Sequence, residues 1–160
     1  MNKNRGFLKS LYCAATGLFK PLITERNMRV HFSFANLIMI FAYFFGLERM
    51  EWAVLVLTVS LVITAELINT AVENAVDTAT KDFSPTAKAA KDVAAGAVLF
   101  CAIISVIMGF FLFFDADRIS KTLYCIFSKP HILIPCLIIG IFDICFIIWG
   151  DKLLIKKRNN

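Results

Sequence analysis

The sequence predicts an all-α membrane protein with an N-terminal amphipathic surface helix, three core transmembrane helices and a fourth transmembrane helix near the C-terminus. Three observations carry that prediction. The 160 residues are 59% hydrophobic, with 16 Phe and a mean hydropathy of +0.73, which is too apolar for a soluble domain of this size. Residues 30–47, 52–69, 93–114 and 132–149 form four apolar stretches, and about 17 to 25 residues at ~1.5 Å each cross a hydrocarbon core of ~30 Å. Lys and Arg then orient the spans. Of the 17, only Arg49, Arg118, Lys121 and Lys129 fall on one side, and the richer side is cytoplasmic by the positive-inside rule.

Along residues 1–29, Phe7, Leu11, Ala15, Leu18 and Leu22 recur at helical spacing among Lys3, Arg5, Lys9, Lys20, Arg26 and Arg29. That pattern predicts a helix lying on the membrane until Pro21 disturbs it, the alternative being a soluble basic tail. A secretory signal peptide is not expected, because a continuous apolar core and a small-residue cleavage site are missing. GLERMEW, residues 46–52, leaves room for a tight turn with Trp52 at the interface. TATKDFSPTAKAAKD, residues 78–92, predicts a charged loop rising into a helix, with Ser84 as N-cap and Pro85 in the first turn. Residues 115–131 read as a loop. Pro135 stands inside the fourth span as a candidate kink. Asp143, near the middle of that span, must face protein or water, and the sequence assigns it no role. The chain divides into a core of residues 1–115 and an extension of residues 116–160.

Composition also excludes functions. The net charge of +5 reads as topology and attraction to anionic headgroups, and no basic-aromatic alternation suggests nucleic acid. The five cysteines show no CxxC spacing, so neither a disulfide frame nor a zinc site is expected. His31 has no neighbouring His and reads as an interfacial packing or headgroup-contact residue.

The unusual stretch is AELINTAVENAVDT, residues 65–78. Glu66, Asn69, Glu73 and Asp77 are separated by steps of three, four and four, so at about 100° per residue they share one helical face. That face starts where a span meets headgroups and runs into water. Interhelical hydrogen bonding would explain it, as would an ion or proton path. So would a catalytic base beside a divalent cation site. Spacing leaves all three open.

Written out, Glu66-Leu-Ile-Asn69-Thr70-Ala-Val-Glu73-Asn-Ala-Val-Asp77 resembles the signature of the prokaryotic diacylglycerol kinase family, which includes undecaprenol kinases. The resemblance continues through Ala90-Lys91-Asp92-Val-Ala-Ala-Gly96-Ala97-Val98 and Glu25-Arg26-Asn27-Met-Arg29-Val-His31, and covers about residues 5 to 114. It implies transfer of the ATP γ-phosphoryl group to the primary hydroxyl of a membrane lipid, on the cytoplasmic face of a bacterial cell membrane. The implied roles are Glu66 as base, Asn69 positioning groups around it, and Glu25 and Glu73 holding Mg²⁺. Asp82, Phe83, Ser84, Lys91 and Asp92 would engage ATP. Family membership further implies a homotrimer with shared active sites. Neither GxxxxGK[ST] nor GxGxxG occurs, so Lys, carboxylate-bound metal and loop backbone must hold the phosphates.

Gly17 and Leu18 match a recurring Gly-Leu in the family's surface helix. Gly6 and Cys13 stand where some members have polar residues, and no nucleotide role carries over to them. The fourth span exceeds the usual family length. ERNMRVH favours undecaprenol over diacylglycerol as acceptor, whereas a carboxylate-bearing transporter or a non-catalytic scaffold are the readings of another class.

Overall fold

The computed structural model describes residues 3–82 and 84–158, with side chains described for 6–82 and 84–150. Among the described residues the chain is entirely helix and short connection: α1 (Lys3–Thr24), α2 (Arg26–Phe45), α3 (Arg49–Ala79), α4 (Pro85–Phe113), α5 (Ala116–Ser128) and α6 (Pro130–Arg158). Arg26–Phe45, Arg49–Ala79, Pro85–Phe113 and Pro130–Gly150 are each long and apolar enough to cross a membrane. Phe100, Phe111, Ile141 and Phe142, on α4 and α6, point outward, as lipid-facing residues do.

The helices start and stop where their termini are satisfied. Pro21, the expected point of disturbance, lies in the last turn of α1, where a proline forfeits one backbone bond while its own carbonyl still accepts from Glu25 N–H at 2.8 Å. The chain breaks instead at Glu25, in extended conformation at φ −109°, and this corner turns α1 into α2. Gly46 closes α2 at φ 74°, a left-handed value suited to glycine, with its N–H on Ala42 O at 3.1 Å. Glu51 Oε2 accepts the Glu48 N–H at 2.7 Å and fixes the start of α3. Ser84 Oγ caps α4 by accepting Ala87 N–H at 3.4 Å, with Pro85 as the first helical residue, as expected.

Residues 115–131 depart from the expected loop. They form α5, capped by Asp115, which accepts Arg118 N–H at 3.0 Å. Ile119, Leu123, Ile126 and Phe127 give this helix an apolar side, so it is amphipathic and too short to span. Pro135 is accommodated inside α6.

The most extensive packing joins α3 to α4, which form a long hairpin. Against it lies α2, flanked in turn by α6, with α1 touching α2, α3 and α6 at one end and α5 bridging α2 and α6 at the other. Ala42, Phe45, Leu47 and Leu55 form the apolar core at the α5 end, where Phe113 meets Phe45 at 5.1 Å and Phe41 at 5.4 Å between ring centroids. Arg118 locks this end: its guanidinium lies 4.3 Å from the Phe45 ring centre and donates to Gly46 O at 2.8 Å. Arg118→Ala should cost about 1–2 kcal/mol of stability, read as a lower thermal midpoint in detergent; an unchanged midpoint would remove Arg118 from that role.

At the opposite end most of the buried residues are polar or charged, Arg29, Ser33, Glu66, Asn69 and Thr70, with Met28 buried among them. With 31 residues, α3 is about 46 Å long, so its last turns emerge beyond the apolar slab and carry part of this polar set with them.

Candidate active site

The polar face of α3 is graded. Glu66 is 2% exposed and Asn69 4%, Glu73 is half-buried and Asp77 exposed, over an axial rise of about 16 Å from first to last. Asn69 Nδ2 donates to Glu73 Oε1 at 3.0 Å, so the asparagine orients the second glutamate along the same face. Glu66 Oε2 and Asn69 Oδ1 are buried acceptors without a hydrogen-bond partner among the described residues. An unmet buried acceptor costs about 1–3 kcal/mol. The pair is therefore set to receive a donor, such as a hydroxyl.

The space for that donor is a cavity of about 350 Å³ among α2, α3 and α4. Glu66, Asn69, Asn27 and His31 supply its polar lining, while Ala95, Val98, Leu99 and Ala102 form an apolar wall. Two alanines in that wall leave room that larger side chains would fill. His31 also borders an apolar groove of about 260 Å³ that runs past Phe34, Ile38, Val62 and Ile63 to Val106 and Gly109. A polar head and an apolar tail would thus find adjoining places.

Glu25 stands at the α1–α2 corner, where its side chain does not cap α2 and so keeps both oxygens for other work. It lines a second cleft, about 710 Å³, between α1 and α3, shared with Gly17, Leu18, Lys20, Thr70 and Asn74. Glu25 and Glu73 both lie near enough to Glu66 for their charges to act on it. Among the described residues no three His, Cys, Asp or Glu side chains converge as a metal cage. Mg²⁺ asks for only one or two protein carboxylates and completes its shell with phosphate and water.

A third cleft, about 410 Å³, opens between the end of α3 and the start of α4, lined by Asp77, Lys81, Asp82, Ser84, Lys88 and Lys91. Three lysines against two carboxylates, with the N-terminus of α4, leave it net basic, the sign that suits a phosphate. Lys91 Nζ pairs with Asp77, which ties the two helices at the cleft floor. Ser84 spends its hydroxyl on the α4 cap and on Thr86 Oγ1 at 2.8 Å. Asp92 is exposed and pairs with Lys88 at 2.6 Å, away from the cleft lining. Phe83 lies outside the described residues.

Of the residues singled out from the sequence, Glu66 and Asn69 share one cavity, Glu25 lines a second cleft on another side of α3, and Asp82, Ser84 and Lys91 line a third, whereas Glu73 and Asp92 line none of them. Asn27 and His31 join Glu66 without having been singled out for it; the matched ERNMRVH stretch contains both. Lys81 and Lys88 were visible only as loop charge.

A family model described as prokaryotic diacylglycerol kinase matches residues 12–113. The chain is 39% identical over 112 residues, 70% of its length and 91% of the relative's, to the undecaprenol kinase of Bacillus subtilis. It is 43% identical over 103 residues, 64% of its length and 59% of the relative's, to a diacylglycerol kinase of Synechocystis. A Helicobacter pylori diacylglycerol kinase is 35% identical over 100 residues, 61% and 78% of the two chains. No solved structure matches the chain significantly.

Proposed function

We propose that this chain, which belongs to the prokaryotic diacylglycerol kinase family and is a multi-pass membrane lipid kinase, phosphorylates the primary hydroxyl of undecaprenol with ATP. The observation that carries the site is the buried Glu66 oxygen facing a cavity that adjoins a lipid-facing apolar groove. Glu66 takes the hydroxyl proton as the acceptor oxygen bonds to the γ-phosphorus, and the bond from that phosphorus to the bridging oxygen breaks to release ADP. Asn69 holds Glu73 in line through its amide, and Asn27 and His31 orient the acceptor head in the same cavity.

Glu25 and Glu73 are the residues that would hold Mg²⁺, which when bound neutralises phosphate charge. Lys81, Lys88 and Lys91 with the α4 N-terminus receive the nucleotide phosphates, and Asp82 and Ser84 contribute through the loop backbone. Asp92 acts through Lys88, its ion-pair partner. The basic end, bearing the N-terminus and the lysine cleft, faces the cytoplasm by charge asymmetry, where ATP is supplied. A homotrimer with shared sites suits α4, most of whose surface lies open to lipid or to a second copy.

Undecaprenol is favoured by the ERNMRVH stretch, the apolar groove of about 260 Å³ taking only the head-proximal carbons of either lipid; the diacylglycerol kinases among the relatives support diacylglycerol as second reading. Purified protein given γ-labelled Mg·ATP in mixed micelles of both lipids should label undecaprenol more strongly. Label confined to diacylglycerol would reverse the preference, and label on neither from folded protein would reject both.

A further inference from the structure

The family match ends with α4, yet α6 packs on α2 along a regular seam. Arg29 meets Gly150, and two turns deeper Asn36 Nδ2 donates to Asp143 Oδ2 at 3.0 Å. Both steps are seven residues, one up α2 and one down α6, so the two antiparallel helices keep a single register. A seven-residue contact repeat is that of shallow left-handed helix crossings. Asp143, costly alone at that depth, is 3% exposed and answered by an amide.

At the basic end the fit is tighter. Arg29 is 0% exposed, and its Nη1 donates to Ile23 O, in the last turn of α1, at 3.0 Å. A Cβ on Gly150 would stand 2.3 Å from the Arg29 Cζ and Nε and 2.7 Å from Nη1. A side chain at Gly150 would therefore displace the guanidinium, which is fully buried, from its place on the α6 backbone. The same arginine spans the α1–α2 corner, and Glu25 is that corner.

We propose that α6 is a positioning element for phosphoryl transfer: Gly150 seats Arg29, Arg29 clamps the α1–α2 corner, and the corner presents the Glu25 carboxylate toward Glu66 and Glu73. The Asn36–Asp143 bond sets the depth of α2 against α6 and so the height of Asn27 and His31 beside Glu66. This rests on Glu25 and Glu73 as the cation carboxylates. Arg29 and Gly150 touch no reactant in this scheme; they act through Glu25.

The test measures binding of Mn²⁺, standing in for Mg²⁺, with a non-hydrolysable ATP analogue, by loss of the free Mn²⁺ resonance, alongside the Mg²⁺ dependence of lipid phosphorylation. Full-length protein, Gly150→Leu and Glu25→Ala are compared in detergent. Gly150→Leu should raise the Mn²⁺ dissociation constant at least ~5-fold and lower kcat by ~10- to 10²-fold, the scale of a small misplacement of catalytic groups. Where Gly150→Leu does not assemble, Gly150→Ala places one methyl against the guanidinium and carries the same expectation at smaller size. A variant that merely folds poorly would hold fewer sites of unchanged affinity, and that result overturns the proposal. Normal Mn²⁺ affinity in the Gly150 variants with weakened affinity in Glu25→Ala would overturn the clamp and leave the carboxylate reading standing. Normal affinity in both would remove Glu25 from cation binding, and the clamp with it.

Discussion

Glu66→Gln is expected to fold and insert as the parent chain does and to lose at least ~10²-fold in turnover, the usual contribution of a general base. The substitution keeps shape and volume in a site where Glu66 is 2% exposed. It also removes one charge from a place where Glu25 and Glu73 already act on it, so assembly should not suffer. What disappears is the ability of the buried oxygen to carry a proton away from the acceptor. Apparent KM values for Mg·ATP should stay within about 3-fold, because the substitution alters none of the lysines or carboxylates assigned to Mg·ATP. The measurement is labelled phosphate transfer to undecaprenol by protein of matched fold. Turnover within a few-fold of the parent would remove Glu66 as base and return its polar face to a purely structural part. A transporter with the same carboxylates should instead move an ion or solute in sealed vesicles without ATP, and a scaffold should respond in assembly alone.

The site was legible to the extent that it is local. A step of three, four and four along one helix fixes a common face whatever the tertiary context, and α3 bears Glu66, Asn69, Glu73 and Asp77 as that period requires. Ser84-Pro85 likewise announces a helix start through chemistry confined to four residues. Hydropathy located all the long apolar helices, though their polar ends run past the apolar windows because a helix continues into water while its backbone bonds are met. The failures have a common cause too. Pro21 reads as a disturbance because the pattern shows the lost N–H and not the Glu25 N–H that its carbonyl receives. Residues 116–128 look like a loop because an interfacial helix needs only a few apolar positions, and Ile119 and Leu123 are sparse beside Asp117, Arg118 and Lys121. Asp143 had no readable role since its partner, Asn36, is 107 residues distant, and Arg29 reaches Gly150 across most of the chain. Pairings between helices are written in the packing, beyond the reach of any periodicity.

Glu73→Ala should raise the Mg²⁺ needed for half-maximal phosphorylation by about 10²-fold, and Asn69→Ala by a smaller factor of about 10. The ordering follows from the bond between them. Glu73 is the group that would touch the cation, whereas Asn69 donates to Glu73 Oε1 at 3.0 Å and so fixes which way the carboxylate points; partners at one remove from a metal typically contribute 10- to 100-fold in affinity or activity. If Asn69 served the base alone, Asn69→Ala would lower turnover at saturating Mg²⁺ and leave the Mg²⁺ requirement untouched. The double variant separates these roles further. Once Glu73 is alanine, Asn69 has lost the acceptor through which it influences the cation, so the second substitution should add little to the Mg²⁺ requirement, a non-additivity expected of residues in direct contact. Independent, multiplying effects would mean that Asn69 works elsewhere in the cavity, at its unpaired Oδ1 beside Glu66. An unchanged requirement in Glu73→Ala itself would take the cation away from this face of α3 altogether.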